Sequence, residues 1–216
     1  FAIGIPLVNS WFPPERRGTA LGFFGVGMGG TAISAFTTVQ LTENVGAGFP
    51  FALVAVLLAI YALLAWILIR DRVDRVVAGG SMITRTWTTL KLRSTIELAL
   101  LYAVSFGGFV AFSVYLPAYL KTACGLTQRV AALRTAGCVL VAVMMRPLGG
   151  WLSDRTHPVK VLSASYALAV VLALLASFEF TLVPVGTVAF LGLAAVLGLG
   201  TGAVFALVAR LAPAPS

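Results

Sequence analysis

Hydrophobic residues in this chain fall into long uninterrupted runs rather than alternating with polar ones. Apolar spans occupy about 19–41, 49–69, 97–120, 131–152, 161–178 and 185–209, close to the roughly 20 residues an α-helix needs to cross a hydrocarbon core. A shorter run at 1–12 precedes the polar turn Pro13-Pro14-Glu15-Arg16-Arg17. It is too short to span a bilayer and predicts the tail of a further helix. No span shows the period of two that a membrane strand requires. The pattern predicts an all-α, polytopic membrane protein with six complete transmembrane helices and the end of another. An opening on Phe1, inside an apolar run, predicts a fragment that lacks an N-terminal and a C-terminal portion.

The polar segments between the spans set the organisation. The longest, 70–96, reads as a cytoplasmic loop between two bundles, with 1–69 part of an N-terminal bundle and 97–216 part of a C-terminal one. Alternate loops differ in basic content. One set holds Arg16, Arg17, Arg70, Arg72, Arg75, Arg85, Lys91, Arg93, Arg155, Lys160 and Arg210, against Lys121 and Arg129 in the other. By the positive-inside rule the first set is cytoplasmic.

Composition agrees with that pattern. With 60% hydrophobic and 10% charged residues the chain lacks the polar shell a soluble core of this length needs. A net charge of +8 would point to nucleic acid in a soluble protein. Here the basic residues sit in short loops between spans, so their role is topogenic; the partner is the lipid bilayer and no nucleic acid is expected. Cys124 and Cys138 predict neither a disulfide nor a metal site, and His157 reads as a solvated loop residue. No cofactor is implied, and no His, Asp or Glu cluster at one depth supports an enzyme.

Arg146 is the residue that most changes the picture. It stands inside the apolar stretch Ala131–Leu152, where a charge costs about 2.5–3.5 kcal/mol on insertion scales unless an anion or a water-filled cavity meets it. The competing interpretation is an arginine that snorkels toward the cytoplasmic interface: Asp154 lies eight residues on, about 12 Å along a helix. Arg134, nearer the outer interface, reads as headgroup-facing. The acidic residues Glu15, Glu43, Asp71, Asp74, Glu97, Asp154 and Glu179 all fall in loops or near helix ends. A mid-membrane proton carrier is therefore not expected in this stretch, and anion exchange needs fewer missing parts than proton symport.

Glycines are concentrated in the span at 19–41. Gly18, Gly22, Gly25 and Gly29 recur at steps of four, three and four, which puts them on one helix face. Such a stripe lets another backbone approach closely. Gly27 and Gly30 lie off it, where glycine leaves backbone N–H groups open to an anion or loosens the helix.

Several blocks carry a resemblance. Gly150-x-x-x-Asp154-Arg155 followed by Lys160 resembles the cytoplasmic loop motif of major facilitator superfamily transporters, whose physical logic is a carboxylate at a helix end that latches two rocking bundles. Trp11-Phe12-Pro13-Pro14-Glu15-Arg16-Arg17-Gly18 running into Gly25-Val26-Gly27-Met28-Gly29-Gly30-Thr31 is similar to the glycine-rich signature of the nitrate/nitrite porter family. Phe106-Gly107-Gly108-Phe109, Arg146-Pro147-Leu148-Gly149-Gly150 and Gly198-Leu199-Gly200-Thr201-Gly202-Ala203-Val204-Phe205 occur in the same family's order. Met28 and Thr201 depart from it, standing where asparagine is common.

The resemblance implies that the chain covers the end of helix 4 to helix 10 of a twelve-helix transporter. It further implies a substrate site of Arg146, Tyr102 and Phe106, with Gly25, Gly27 and Met28 from the signature and Phe1 as an opposing ring. The latch would be Gly150, Asp154 and Arg155. The implied function is alternating-access transport of nitrate or nitrite across the cytoplasmic membrane, by a monomer when full length and possessing no activity as a fragment. Nitrate is planar and weakly hydrated, and a guanidinium fork matches two of its oxygens. The rivals are a facilitator for another small solute, with Arg146 as a gate, and an anion sensor without flux.

Overall fold

The computed structural model describes residues 4–68, 87–178 and 185–211, without the side chains of residues 35, 36, 39 and 43. Among these residues every regular element is helical. Helix α1 (Gly4–Trp11) leads through a 3₁₀ turn at Pro14–Arg16 into α2 (Arg17–Val26), and a second 3₁₀ turn, Gly27–Gly29, continues into α3 (Gly30–Asn44). Then follow α4 (Phe49–Leu68), α5 (Arg93–Tyr102), a π turn at Ala103–Gly107, α6 (Gly108–Thr122), α7 (Gln128–Arg155), α8 (Pro158–Ser177) and α9 (Thr187–Leu211).

Five stretches are long and apolar enough to cross a membrane: Phe49–Leu68, Arg93–Thr122, Gln128–Arg155, Pro158–Ser177 and Thr187–Leu211. The sixth expected span, 19–41, is helical as well, but in two pieces. The backbone stays right-handed through Gly27, Gly29 and Gly30. Three glycines in four residues weaken the helix propensity there, and the helix tightens into its 3₁₀ form.

Most of the expected loop 70–96 lies outside the described residues. Within it α5 already begins at Arg93, where Arg93 Nε meets Glu97 Oε1 at 2.8 Å one turn on. A charged pair at this spacing extends a helix into water. His157 also has a definite place: its Nδ1 accepts from the Val159 N–H at 3.4 Å and caps α8 ahead of Pro158. Cys124 and Cys138 are free thiols, and Arg134 is exposed.

Three helices form the centre. α7 packs on α2, α6 and α9, and α9 is also covered by α8. The buried residues of α7 are Ala131, Thr135, Cys138, Val139, Ala142, Val143, Arg146, Gly149, Gly150 and Ser153. They follow the helical repeat and, Arg146 apart, are small or β-branched. Within a bilayer the apolar effect does not drive helices together, so close backbone packing must, and this stripe provides it. α4 is the opposite case: it packs on α3 and buries only Pro50. The turn between α6 and α7 reverses at Gly125, whose φ of +63° disfavours a side chain.

The basic residues sort by end as charge counting predicts. Arg17, Asp154 and Arg210 meet at one end of the bundle, where α2 starts and α7 and α9 finish. Lys121 and Arg129 lie at the other ends of α6 and α7.

Candidate functional site

The glycine stripe of α2 is where two backbones touch. A Cβ added at Gly22 would sit 2.7 Å from both the Arg146 carbonyl oxygen and the Pro147 Cα. From the other side, a Cβ at Gly202 of α9 would run into the same carbonyl oxygen. The backbone of α7 at Arg146 is thus held between two glycines on two helices. Pro147 has no N–H to give the carbonyl of Val143, so the helical ladder is interrupted at this point.

The Arg146 side chain has no exposed surface. Its Nη1 donates to the Gly25 carbonyl oxygen at 3.0 Å. Nε and Nη2 are buried and without a hydrogen-bond partner among the described residues. These two nitrogens share one edge of the guanidinium, so their N–H bonds run parallel and form the fork that takes two oxygens of one planar anion. A buried donor left unpaired costs about 1–3 kcal/mol, and more when charged. This edge is therefore the most strained polar feature of the centre, and the one a ligand would relieve.

A chain of aromatic rings begins beside it. The guanidinium carbon lies 5.0 Å from the Phe109 ring centroid, a cation–π distance. Tyr102 and Phe106 stack with centroids 5.1 Å apart and planes within 7°. Phe205 of α9 lies 5.6 Å from Tyr102, and Phe109 lies 6.4 Å from Phe106. Tyr102 is close enough to Arg146 for the two side chains to interact electrostatically.

Among the expected site residues, the structure brings Arg146, Tyr102, Phe106 and Gly25 together. Tyr102 and Phe106 are not one turn apart on a regular helix, however. Tyr102 ends α5 and Phe106 belongs to the π turn, an irregularity often found at functional positions. Gly27 stands apart: it is exposed, and an added Cβ there would meet nothing within 4 Å. Met28 is half-buried in the same 3₁₀ turn, its carbonyl accepting from the Thr31 hydroxyl at 2.7 Å. Phe1 lies outside the described residues. Thr201 is fully buried and turns its hydroxyl back to the Leu197 carbonyl at 2.8 Å. Phe109 and Phe205 close two of the blocks that carry the resemblance, but neither was expected at the site. Phe109, three residues after Phe106, was within reach of a helical-face argument; no spacing along the chain brings Phe205 to Tyr102.

At the basic end of the bundle Asp154 reaches α2. Its Oδ1 accepts from the Gly18 N–H at 3.0 Å, and its Oδ2 accepts from the Thr19 N–H and the Thr19 hydroxyl, both at 2.7 Å. The side chain of Arg16 makes no capping bond of its own at this helix start. A residue 135 positions away in sequence from Thr19 therefore caps the helix. Gly150 permits this, since a Cβ there would collide with the Gly18 carbonyl. Arg155 has a different partner, stacking 4.2 Å over the Trp151 ring. The basic group at this contact is instead Arg210, whose Nη2 donates to the Ser153 carbonyl at 2.8 Å, where a cation suits the end of α7.

Comparison with known proteins agrees with this architecture. Over 216 residues the chain is 45% identical to the probable nitrate/nitrite transporter NarK2 of Mycobacterium tuberculosis, covering 100% of this chain and 55% of that protein. It is 34% identical over 208 residues to the nitrite extrusion protein of Bacillus subtilis, covering 96% of this chain and 52% of the relative. It is also 34% identical over 168 residues to the probable nitrate/nitrite antiporter NarK1 of Thermus thermophilus, covering 72% and 38%. The chain thus spans about half the length of the first two relatives and less of the third. No solved structure matches it. Residues 1–215 match the Major Facilitator Superfamily, to which this chain belongs as a multi-pass protein of the cytoplasmic membrane.

Proposed function

We propose that the chain is part of a secondary transporter that carries nitrate or nitrite across the cytoplasmic membrane by alternating access, as an anion exchanger. The observation that carries this is the buried guanidinium edge of Arg146, with two parallel donors unpartnered and a chain of aromatic rings beside it. A planar monovalent oxyanion satisfies both donors at once, and its faces suit flat aromatic neighbours. Gly25 holds Nη1 and so fixes which edge stays open. The relatives' names, which speak of nitrate, nitrite and antiport, support the same substrate class. Exchange is favoured because the described carboxylates Glu15, Glu97 and Asp154 lie near helix ends, leaving the arginine as the charge that must be met by an anion each time the site turns over.

Asp154 serves as the latch. With the start of α2 capped by α7, the two helices are closed at the cytoplasmic end. Release of Gly18 and Thr19 opens a path from Arg146 to the cytoplasm. Gly150 allows the approach, and Arg210 takes the position first expected of Arg155.

The test is Arg146→Lys in the complete transporter, reconstituted in proteoliposomes and assayed for nitrate and nitrite counterflow. Lysine keeps the charge but loses the fork, so flux should fall roughly tenfold or more, the size of one charge-assisted hydrogen bond. Unchanged kinetics would remove the anion role from Arg146. Nitrate binding without flux in the unaltered protein would identify a sensor instead.

A further inference from the structure

The π turn at Ala103–Gly107 has a dedicated support that the anion site itself does not explain. Tyr166 of α8 donates its hydroxyl proton to the Leu101 carbonyl oxygen at 2.5 Å. Ser105, inside the turn and fully buried, lies 2.8 Å from the same Tyr166 oxygen. The phenol has one proton and it goes to Leu101, so Ser105 donates to Tyr166. One side chain therefore bonds both to the residue before the turn and to the turn's centre. Gly200 of α9 makes room for the pair: a Cβ there would lie 3.2 Å from Ser105 Oγ and 3.7 Å from Tyr166 Cε1.

A π turn carries one residue more than the α-helical turn it replaces, and it disturbs the backbone hydrogen-bond ladder locally. A donor from a neighbouring helix on the Leu101 carbonyl makes that state cheaper to hold. The geometric consequence falls on the site. One residue corresponds to about 100° of helix rotation. Relaxing the turn to regular helix would swing everything before it, Tyr102 included, relative to Phe106, Phe109 and the rest of α6.

We infer that Tyr166, bonded to Ser105 and to the Leu101 carbonyl, is a positioning residue that holds the π turn and so fixes Tyr102 and Phe106 around Arg146. It acts without touching the anion. The inference rests on the proposed anion site, and its test separates the two.

Tyr166→Phe removes the hydroxyl and keeps the ring that packs beside Leu162 and Val204, so the fold should survive. In the complete transporter, the KM for nitrate or nitrite should rise about three- to tenfold, one hydrogen bond's worth, with the maximal rate little changed. A role confined to folding would lower the amount of protein and the maximal rate while leaving KM alone, and that result would overturn the inference. Ser105→Ala should move KM in the same direction by less. Amide hydrogen exchange over residues 101–107 reads the turn without transport. Faster exchange in Tyr166→Phe is expected, and unchanged exchange means that the tyrosine does not hold it. If Arg146→Lys leaves transport intact while exchange at 101–107 responds to Tyr166→Phe, the anion site fails and the hold on the turn stands.

Discussion

Two charged residues of α7 face the same short helix and meet opposite fates. Asp154 lies at the start of α2 and accepts from two backbone N–H groups and a hydroxyl. Eight residues earlier, Arg146 lies near the end of α2 and donates to one carbonyl, that of Gly25. The anion sits where the helix dipole favours it, at the N-terminus of α2; the cation meets a single carbonyl where the helix tightens into the 3₁₀ turn. The difference is in satisfaction. Asp154 has three donors around its carboxylate, whereas Arg146 keeps Nε and Nη2 unpaired. One contact closes on itself, and the other is left incomplete beside a chain of rings. The proposed function uses both: a contact that breaks and re-forms, and a pair of donors that an anion would satisfy.

Gly22→Ala should break the comparison at its root. The new methyl would press on the backbone of Arg146 and Pro147, which cannot rotate away as a side chain can. A loss of about 3 kcal/mol in the α2–α7 contact is expected, visible as lower thermal stability and lost uptake. Gly30→Ala, placed where an added Cβ meets nothing within 4 Å, should be neutral or slightly stabilising. Equal damage from both substitutions would refute the close-approach role of the stripe.

Asp154→Ala should affect the latch end alone. It leaves the Gly18 and Thr19 N–H groups uncapped, a cost of about 2 kcal/mol. Alkylation of a Ser153→Cys reporter in protein lacking the native cysteines should accelerate roughly thirtyfold from the cytoplasmic side. Ser153 is fully buried, so its labelling reads the opening. An unchanged rate would mean that Asp154 does not close this end. Thr19→Val removes one of the three bonds to Asp154. With about 1 kcal/mol at stake, the same reporter should speed up roughly fivefold.

The smallest effect is expected at Glu97. Its pair with Arg93 is exposed, and such pairs contribute about 0.3–0.5 kcal/mol. Glu97→Gln should leave the melting temperature and the reporter rate within error. A large shift would show that α5 depends on that pair far more than its exposure implies.

Much of this molecule is legible along the chain. A bilayer-spanning helix must satisfy its own backbone and present apolar side chains, so each span announces itself through local composition. Gly18, Gly22, Gly25 and Gly29 were readable as one face for a similar reason, since helical geometry alone aligns them. Arg146 stood out because a buried charge is costly wherever it lies. Tyr102 and Phe106 came from resemblance, and their spacing suggested a plain helix. The π turn escaped notice because its donor is on α8, 65 residues away from Leu101. His157 is the exposed loop residue that the sequence predicts; its capping bond to the Val159 N–H was not legible, because it depends on the direction of the ring nitrogen.

The sequence by itself determined the helices and the presence of a charge that needs company, because these follow from interactions between each residue, its near neighbours and the bilayer. Only the tertiary structure decided which edge of Arg146 stays open, that Phe109 lies over its guanidinium, that Phe205 meets Tyr102, and that Asp154 caps a helix 135 residues away from it. Those outcomes depend on directional bonds and ångström-scale approaches between helices distant in sequence, which no local pattern encodes.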